Sequence, residues 1–320
     1  MRVARDRLWS PEGCSSYRDP GETAGCNPVD MTTTTTRTLR VPGATITYDV
    51  HGPVPTAGRP LLLMIGQPMV AAGFATLAAH FPERTVVTYD PRGLGRSVRD
   101  DGRTDNDPEL QAEDLHALIA ALGAGPVELF ASSGGAVTAL ALVAAHPEDV
   151  RTLVAHEPPL LAVLPDTQRA LAAERAVQRT YHAGGSGPGW AHFLAMTMWQ
   201  GEFTDEYAAR PAPDPASFGL PVDDDGSRDD PMLSGASNAV TRYEPDLDAL
   251  RSAPARIVIA AGIESTDLIT GRTSAALAEA LGRPLTIFPS NHGGFLGGEY
   301  GQTGEPEAFA AKLHEVLDAP

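Results

Sequence analysis

Apolar residues along the chain recur in short runs, some alternating with polar positions and some continuous, and these runs predict β-strands. The runs occupy 44–50, 60–65, 85–90, 126–131, 150–155, 255–261 and 284–288. Between them, apolar side chains recur at helical spacing, most clearly at 109–122 and 135–145, and a closing helix is predicted at 305–317. Strands that alternate with helices predict right-handed crossovers and a mostly parallel sheet with helices on both faces.

A long stretch of different character, 158–243, interrupts this rhythm before the strand at 255–261. It contains two helical candidates near 166–181 and 189–200, followed by an acidic segment rich in proline and glycine. We interpret this stretch as a helical cap or lid inserted into the α/β core.

The first part of the chain lacks hydrophobic periodicity. Residues 1–36 are rich in Gly, Pro, Ser, Thr and charge, which predicts a disordered extension. Met31 is a candidate alternative start, so residues 1–30 need not belong to the native protein. The predicted core then comprises 37–157 and 244–320.

Composition narrows the class of protein. With 42% hydrophobic and 20% charged residues among 320, the chain is typical of a globular protein. Its net charge of -17 repels phosphate backbones and anionic membrane surfaces, which argues against nucleic-acid and membrane binding. No apolar run approaches the roughly 20 residues of a membrane span. Because a secretory apolar segment is also lacking, we expect a cytoplasmic protein.

The sequence predicts no cofactor and no metal. The two cysteines, Cys14 and Cys26, have no histidine nearby and supply too few ligands for zinc. Neither a nucleotide-binding loop nor a lysine suited to a Schiff base is recognisable. The oligomeric state is left open.

The candidate nucleophile lies where a predicted strand passes into a predicted helix, in the pentapeptide 131–135 (ASSGG). A serine at the centre of such a turn needs small residues two positions away on either side, because the backbones approach closely there. Ser133 meets this condition, whereas Ser132 would require a small residue at Phe130. The alternative is that Ser133 only caps the helix. The pentapeptide resembles the nucleophile elbow of the α/β-hydrolase superfamily.

A second segment strengthens this resemblance. Residues 90–97 (DPRGLGRS) closely match the Asp-x-Arg-Gly-x-Gly-x-Ser segment that follows strand four in many α/β-hydrolases. The resemblance implies an α/β-hydrolase fold with a mostly parallel eight-stranded sheet. It also implies a structural role for this loop, with Asp90 and Arg92 in local pairing.

At the end of the predicted strand at 60–65, residues 65–68 (IGQP) stand where the family usually carries His-Gly and the oxyanion loop. The histidine is absent here. The resemblance assigns the two oxyanion donors to the backbone N–H groups of Gln67 and Gly134, and Pro68 has no N–H to contribute. The alternative is an ordinary turn between strand and helix.

The candidate base is His292 in the segment 290–294 (SNHGG). It follows the last predicted strand, which is where the family places the histidine that accepts the serine proton.

The acid that orients the base has two candidate positions. The segment 262–267, after the predicted strand at 255–261, offers Glu264 or Asp267. The segment after the predicted strand at 150–155 offers Glu157, in a context that resembles zearalenone lactonases and pancreatic lipases. We rank Glu157 first and Glu264 second. The alternative role for Glu157 is a loop carboxylate paired with an arginine.

A serine in the nucleophile position argues against haloalkane dehalogenases and epoxide hydrolases, which need aspartate there. The resemblance therefore implies a serine hydrolase of the carboxylesterase or lactonase type that forms an acyl-enzyme on a small-molecule ester or lactone. A non-catalytic ligand-binding protein and a biosynthetic acyltransferase or cyclase are the alternatives.

The predicted insertion supplies an apolar cluster, which includes Trp190, Phe193 and Trp199. If it covers Ser133, this cluster suits a small to medium hydrophobic substrate. The alternative is that these residues form only the core of the insertion.

Overall fold

The computed structural model describes residues 34–52, 54 and 58–319. Most of the predicted extension lies outside these residues. The first strand nevertheless begins at Thr34, ahead of the predicted core boundary at Arg37. Threonine is β-branched and suits a strand, so the end of the threonine run pairs with the next strand, with Thr34 opposite His51.

The described residues form a single sheet of nine strands. They are β1 Thr34–Val41, β2 Ala44–His51, β3 Leu62–Gln67, β4 Val86–Tyr89, β5 Val98–Arg99, β6 Val127–Ser133, β7 Val150–His156, β8 Arg256–Gly262 and β9 Leu285–Phe288. The order is β1-β2-β4-β3-β6-β7-β8-β9, with β5 paired to β2. Strands β4, β3, β6, β7, β8 and β9 run parallel, whereas β2 pairs antiparallel with β1, β4 and β5. The family resemblance predicts eight strands. The sheet has nine, because the two-residue β5 also pairs with β2.

Ten α-helices accompany the sheet in the described residues. They are α1 Ala75–Ala79, α2 Pro108–Leu122, α3 Gly134–Ala145, α4 Thr167–Gly184, α5 Ser186–Thr197, α6 Asp205–Ala208, α7 Asn238–Thr241, α8 Leu247–Ser252, α9 Ile269–Leu281 and α10 Pro306–Asp318. One apolar cluster joins the sheet to α2, α3 and α9 through Leu115, Leu140 and Leu277. A second joins it to α1 and α10 through Leu77 and Leu313. Helices therefore pack on both faces of the sheet, as the alternation of elements predicts.

The loop between β4 and β5 is held by charged hydrogen bonds. Asp90 accepts hydrogen bonds from the backbone N–H of Ala71 at 2.9 Å and from Arg96 Nε at 2.7 Å. Arg92 donates two bonds to Asp114 of α2, at 2.7 and 2.6 Å. Asp90 and Arg92 thus have different partners, and the loop ties the sheet to α2.

Residues 158–243, which we call the helical insertion, have an apolar cluster of their own. Its buried members include Leu161, Val177, Tyr181 and Leu233, and Ile269 of α9 packs with them. Most of the insertion's apolar side chains therefore pack with one another, while α9 provides a contact to the core.

Candidate active site

The candidate residues collect at one edge of the sheet because the carboxyl ends of its parallel strands meet there. Gln67 ends β3, Ser133 ends β6, Glu157 directly follows β7 and His292 follows β9. Gln67, Ser133 and His292 line one cavity of about 670 Å³ whose remaining wall comes largely from the helical insertion.

Ser133 lies in a strained turn between β6 and α3. Its φ of 58° and ψ of -132° are rare for a residue other than glycine. A Cβ atom on Gly134 would lie 2.8 Å from the Gln67 carbonyl oxygen, and one on Gly135 would lie 2.7 Å from Gly66 Cα. Small residues are thus required after the serine. The Ser133 side chain makes no capping hydrogen bond to α3, so the helix-cap alternative does not describe it.

His292 is oriented by a hydrogen bond to Glu157. The distance from His292 Nδ1 to Glu157 Oε2 is 2.6 Å. Among the described residues, His292 Nε2 has no hydrogen-bond partner, and the side chain is 44% exposed on the cavity wall. No direct hydrogen bond joins Ser133 to His292 here, and such bonds often tighten only when substrate binds.

Glu157 is completely buried, although it is a carboxylate. It accepts hydrogen bonds from the backbone N–H of Gly262 at 2.9 Å and from the Thr270 hydroxyl at 2.5 Å, in addition to the His292 contact. Burial by itself would raise the pKa of Glu157, but the charge and hydrogen bond of His292, with smaller contributions from His156 and Thr270, hold it well below its usual range. The carboxylate is therefore ionised where it meets His292, and its partners are not arginines.

The other acid candidates make no hydrogen bond to His292, although Glu264 lines the same cavity. Glu264 is exposed, and it accepts a hydrogen bond from Asn291 Nδ2 at 3.0 Å rather than contacting His292. Asp267 is exposed and does not line the cavity. Of the predicted acids, the structure brings Glu157 to His292.

The candidate oxyanion donors are neighbours. Gln67 and Ser133 are partners in the register of β3 and β6, and Gly134 follows Ser133 as the first residue of α3. Because the first N–H groups of a helix have no partner within the helix and point along its positive end, the Gly134 N–H is suited to bind an oxyanion. The peptide bond between Gln67 and Pro68 is cis.

Two of the three predicted pocket aromatics line the cavity. Trp190 and Phe193 do so, in an edge-to-face pair with centroids 5.4 Å apart. Trp199 does not. Its indole N–H donates to the Glu202 carbonyl at 3.0 Å and its ring meets Tyr207. Trp199 follows the end of α5, so helical spacing no longer keeps it on the cavity face.

Some residues of the site carry no sequence signal. Thr270 reaches Glu157 across 113 residues of chain, and a lone threonine at a helix start has no recognisable motif. Gln178 and Asn238 line the cavity from the insertion, joined by a side-chain hydrogen bond. Hydrophobic periodicity predicts which faces of an element are apolar, but it does not identify polar side chains that face a cavity.

The described residues contain one group of potential metal ligands. His116, His146 and Asp149 place ligand atoms within 4.8 Å of one another, and none lines the cavity that contains Ser133. His116 is hydrogen-bonded to Asp149, and His146 to Glu113. Both histidines therefore already have carboxylate partners.

None of the helices in the described residues combines the length and the apolar character that crossing a membrane requires.

Comparisons with known proteins agree with this architecture. A family model described as alpha/beta hydrolase fold matches residues 59–182. The uncharacterized hydrolase YraK of Bacillus subtilis (strain 168) is 30% identical over 296 residues, which covers 88% of this chain and 95% of that protein. The putative carbamate hydrolase RutD of Caulobacter segnis is 37% identical over 111 residues, or 34% of this chain and 41% of that protein.

A solved structure gives the same result for the fold. The crystal structure of a hydrolase from Pseudomonas aeruginosa PA01 is similar with a TM-score of 0.61 and 20% sequence identity, and the match covers 89% of this chain and 98% of that one. Together with the relative that matches nearly the whole chain, these findings show that this protein belongs to the α/β-hydrolase superfamily.

Proposed function

We propose that this protein is a serine hydrolase that cleaves a carboxylic ester or lactone through an acyl-enzyme on Ser133. One observation carries the proposal: Glu157, buried and ionised, bonds His292 Nδ1 at 2.6 Å, and His292 shares a cavity with the strained Ser133. A carboxylate that orients an imidazole beside a nucleophilic serine is the arrangement that activates a hydroxyl group.

In the first half of the proposed reaction, the Ser133 hydroxyl oxygen attacks the substrate carbonyl carbon while His292 Nε2 accepts the hydroxyl proton. Glu157 keeps the other proton on Nδ1 and stabilises the imidazolium. The oxyanion accepts hydrogen bonds from the N–H groups of Gln67 and Gly134. The carbon–oxygen bond to the leaving alcohol then breaks, and the alcohol takes the proton from His292.

In the second half, a water molecule attacks the acyl-enzyme and gives its proton to His292. The bond between the acyl carbon and Ser133 breaks, the serine oxygen recovers the proton, and the carboxylic acid leaves. A lactone follows the same steps, except that its alcohol stays attached to the acid.

The cavity supports a substrate of small to medium size with an apolar part. Its volume of about 670 Å³ falls within the roughly 300–1,000 Å³ typical of small-molecule sites. Trp190, Phe193 and Met196 supply aromatic and sulfur-containing walls suited to an apolar acyl or alcohol group.

The test compares Ser133→Ala with the wild type on p-nitrophenyl esters and an aryl lactone, with fluorophosphonate labelling and peptide mapping. Ser132→Ala is the matched control because it removes the neighbouring hydroxyl. We expect Ser133→Ala to lower turnover by a factor of roughly 10⁴ or more, and the label to map to Ser133. Label and turnover should persist in the control.

Other outcomes would replace the proposal. If wild type neither turns over esters nor takes the label, a ligand-binding role is favoured. If Ser133 is labelled but the product is a new ester formed with an added alcohol, the protein is an acyltransferase.

A further inference from the structure

Two side-chain amides of the helical insertion line the cavity that contains Ser133. Gln178 lies on α4 and Asn238 opens α7, and both are half-buried. Gln178 Nε2 donates a hydrogen bond to Asn238 Oδ1 at 2.5 Å, so the chain brings together two residues 60 positions apart.

This pair uses only part of its hydrogen-bonding capacity. Each amide has one carbonyl acceptor and two N–H donors, and the single bond between them leaves Gln178 Oε1 and Asn238 Nδ2 without a partner among the described residues. If both amides were turned over, the bond would reverse and the pair would still present one acceptor and one donor.

The backbone beside the pair leaves these groups open. Gly235 has φ of +97°, and a Cβ atom there would lie 3.1 Å from Asn238 Nδ2. A larger side chain at this position would crowd the donor. Gly235 also lines the cavity, so a ligand can approach the amides past it.

A nearby charged group is already neutralised. Glu174, which also lines the cavity, accepts hydrogen bonds from the Thr241 hydroxyl and from Arg242 Nη2, the second at 2.9 Å. Within the part of the helical insertion that lines the cavity, Gln178 and Asn238 therefore offer neutral polar groups that have no protein partner among the described residues. They suit an uncharged ligand group that can both donate and accept.

The surroundings make such recognition selective. Val177, Trp190 and Met232 line the same cavity, so a ligand that fills it removes water from the amides. A polar group that loses water without gaining a partner costs free energy, and a site built to bond a hydroxyl rejects the analogue that lacks one.

We propose that Gln178 and Asn238 are specificity-determining residues, and that the substrate is a hydrophobic ester or lactone with a hydroxyl or carboxamide group that these amides bind. This inference rests on the proposed function, because it assigns the substrate class of the same site. It adds that the substrate carries a neutral polar group apart from the bond that is cleaved.

The experiment compares two esters of equal chain length, p-nitrophenyl ω-hydroxyhexanoate and p-nitrophenyl heptanoate. We expect the wild type to prefer the hydroxylated ester by roughly 10-fold in kcat/KM, and Gln178→Leu or Asn238→Leu to abolish the preference. In both leucine variants, we expect mainly a higher KM for the hydroxylated ester. The matched control is Gln168→Leu, an exposed glutamine on the same helix that does not line the cavity.

The outcomes separate the two proposals. Turnover that depends on Ser133 but shows no preference, or a preference that survives both leucine variants, overturns this inference and leaves the proposed function standing. If no ester is turned over, calorimetric titration with ω-hydroxyhexyl and heptyl phenyl ketones replaces the kinetics. Tighter binding of the hydroxylated ketone that is lost in Gln178→Leu and in Asn238→Leu supports the amide site even though the hydrolase proposal has failed. Equal binding of the two ketones overturns it.

Discussion

Two serine–histidine pairs lie side by side in this protein, and they differ in access. Ser133 and His292 line a cavity. Ser132 Oγ lies 3.1 Å from His156 Nδ1, yet these two residues are only 2% and 0% exposed. Residue types alone would therefore assign the same chemistry to both pairs.

The environment of the second pair argues against such chemistry there. Four phenylalanine rings surround His156, with centroids 5.2 to 6.2 Å away: Phe130, Phe288, Phe295 and Phe309. Burial lowers the pKa of His156 to about 4, only partly offset by the nearby Glu157 charge, so the ring is neutral near pH 7. A substrate cannot reach it. Successive side chains of a strand point to opposite faces, so one step along β6 separates a packing serine from the cavity-lining Ser133.

Glu157 stands between the two imidazoles, and its contacts differ. Its Oε2 bonds His292 Nδ1 at 2.6 Å, whereas its Oε1 is 3.9 Å from His156 Nε2, which has no hydrogen-bond partner. The carboxylate thus orients the imidazole of His292. It acts on the buried imidazole of His156 only through its charge.

Glu157→Gln should have the largest effect on the accessible pair. In the wild type, Glu157 Oε1 accepts from the Gly262 N–H, and Oε2 accepts from the Thr270 hydroxyl and meets His292 Nδ1. When the amide oxygen keeps the Gly262 bond, the NH₂ group faces both Thr270 and His292, so the Thr270 bond is lost and the wrong imidazole tautomer is favoured. We expect turnover of p-nitrophenyl esters to fall by roughly 10³- to 10⁴-fold. The measurement is kcat at saturating ester.

Glu264→Gln is the control for this substitution, because Glu264 is exposed and contacts Asn291 instead. It should change kcat by less than about 3-fold. A larger loss in Glu264→Gln than in Glu157→Gln would reverse the assignment of the orienting acid.

The contrast between the two pairs also marks what the sequence could predict. Ser133 and His292 could be proposed from the sequence because each lies in a local motif next to a predicted element. The choice of acid stayed open, because the contact of Glu157 with His292 joins residues 135 positions apart and no local pattern records it.

The same reasoning applies to the fold. Apolar periodicity predicted seven strands and the main helices nearly to their ends, since buried faces impose that period. It missed β1, an edge strand whose residues are mostly exposed, and the two-residue β5. The helical candidate at 189–200 predicts that Trp199 belongs to the pocket cluster, but α5 ends at Thr197 and helical geometry no longer holds at Trp199.

The buried pair of Ser132 and His156 predicts that the stability of the protein depends on pH. The pKa of His156 is about 4 in the folded protein and about 6.5 when unfolded, so the unfolded state binds more protons between these values. The stability from the neutral ring is fully present above pH 6.5 and is lost as pH falls toward 4. This linkage amounts to about 3 kcal/mol.

His156→Leu removes this linkage. The free energy of unfolding, measured with urea from pH 7 to pH 4, should fall less for the variant than for the wild type. His51 and His192, whose pKa values burial also lowers, are present in both proteins and cancel in the difference. Parallel pH profiles would show that His156 does not titrate as its burial requires.

Ser132→Ala should have the smallest effect, and on stability alone. It leaves His156 Nδ1 buried without a partner, which costs about 1–2 kcal/mol in the free energy of unfolding at pH 7, while kcat stays within about 3-fold. In the His156→Leu background the same substitution should cost less, because the partner is already gone, and a double-mutant cycle measures that difference. An equal cost in both backgrounds would mean that the Ser132 hydroxyl stabilises the protein by something other than the bond to His156. A large loss of kcat would mean that the buried pair contributes to the chemistry after all.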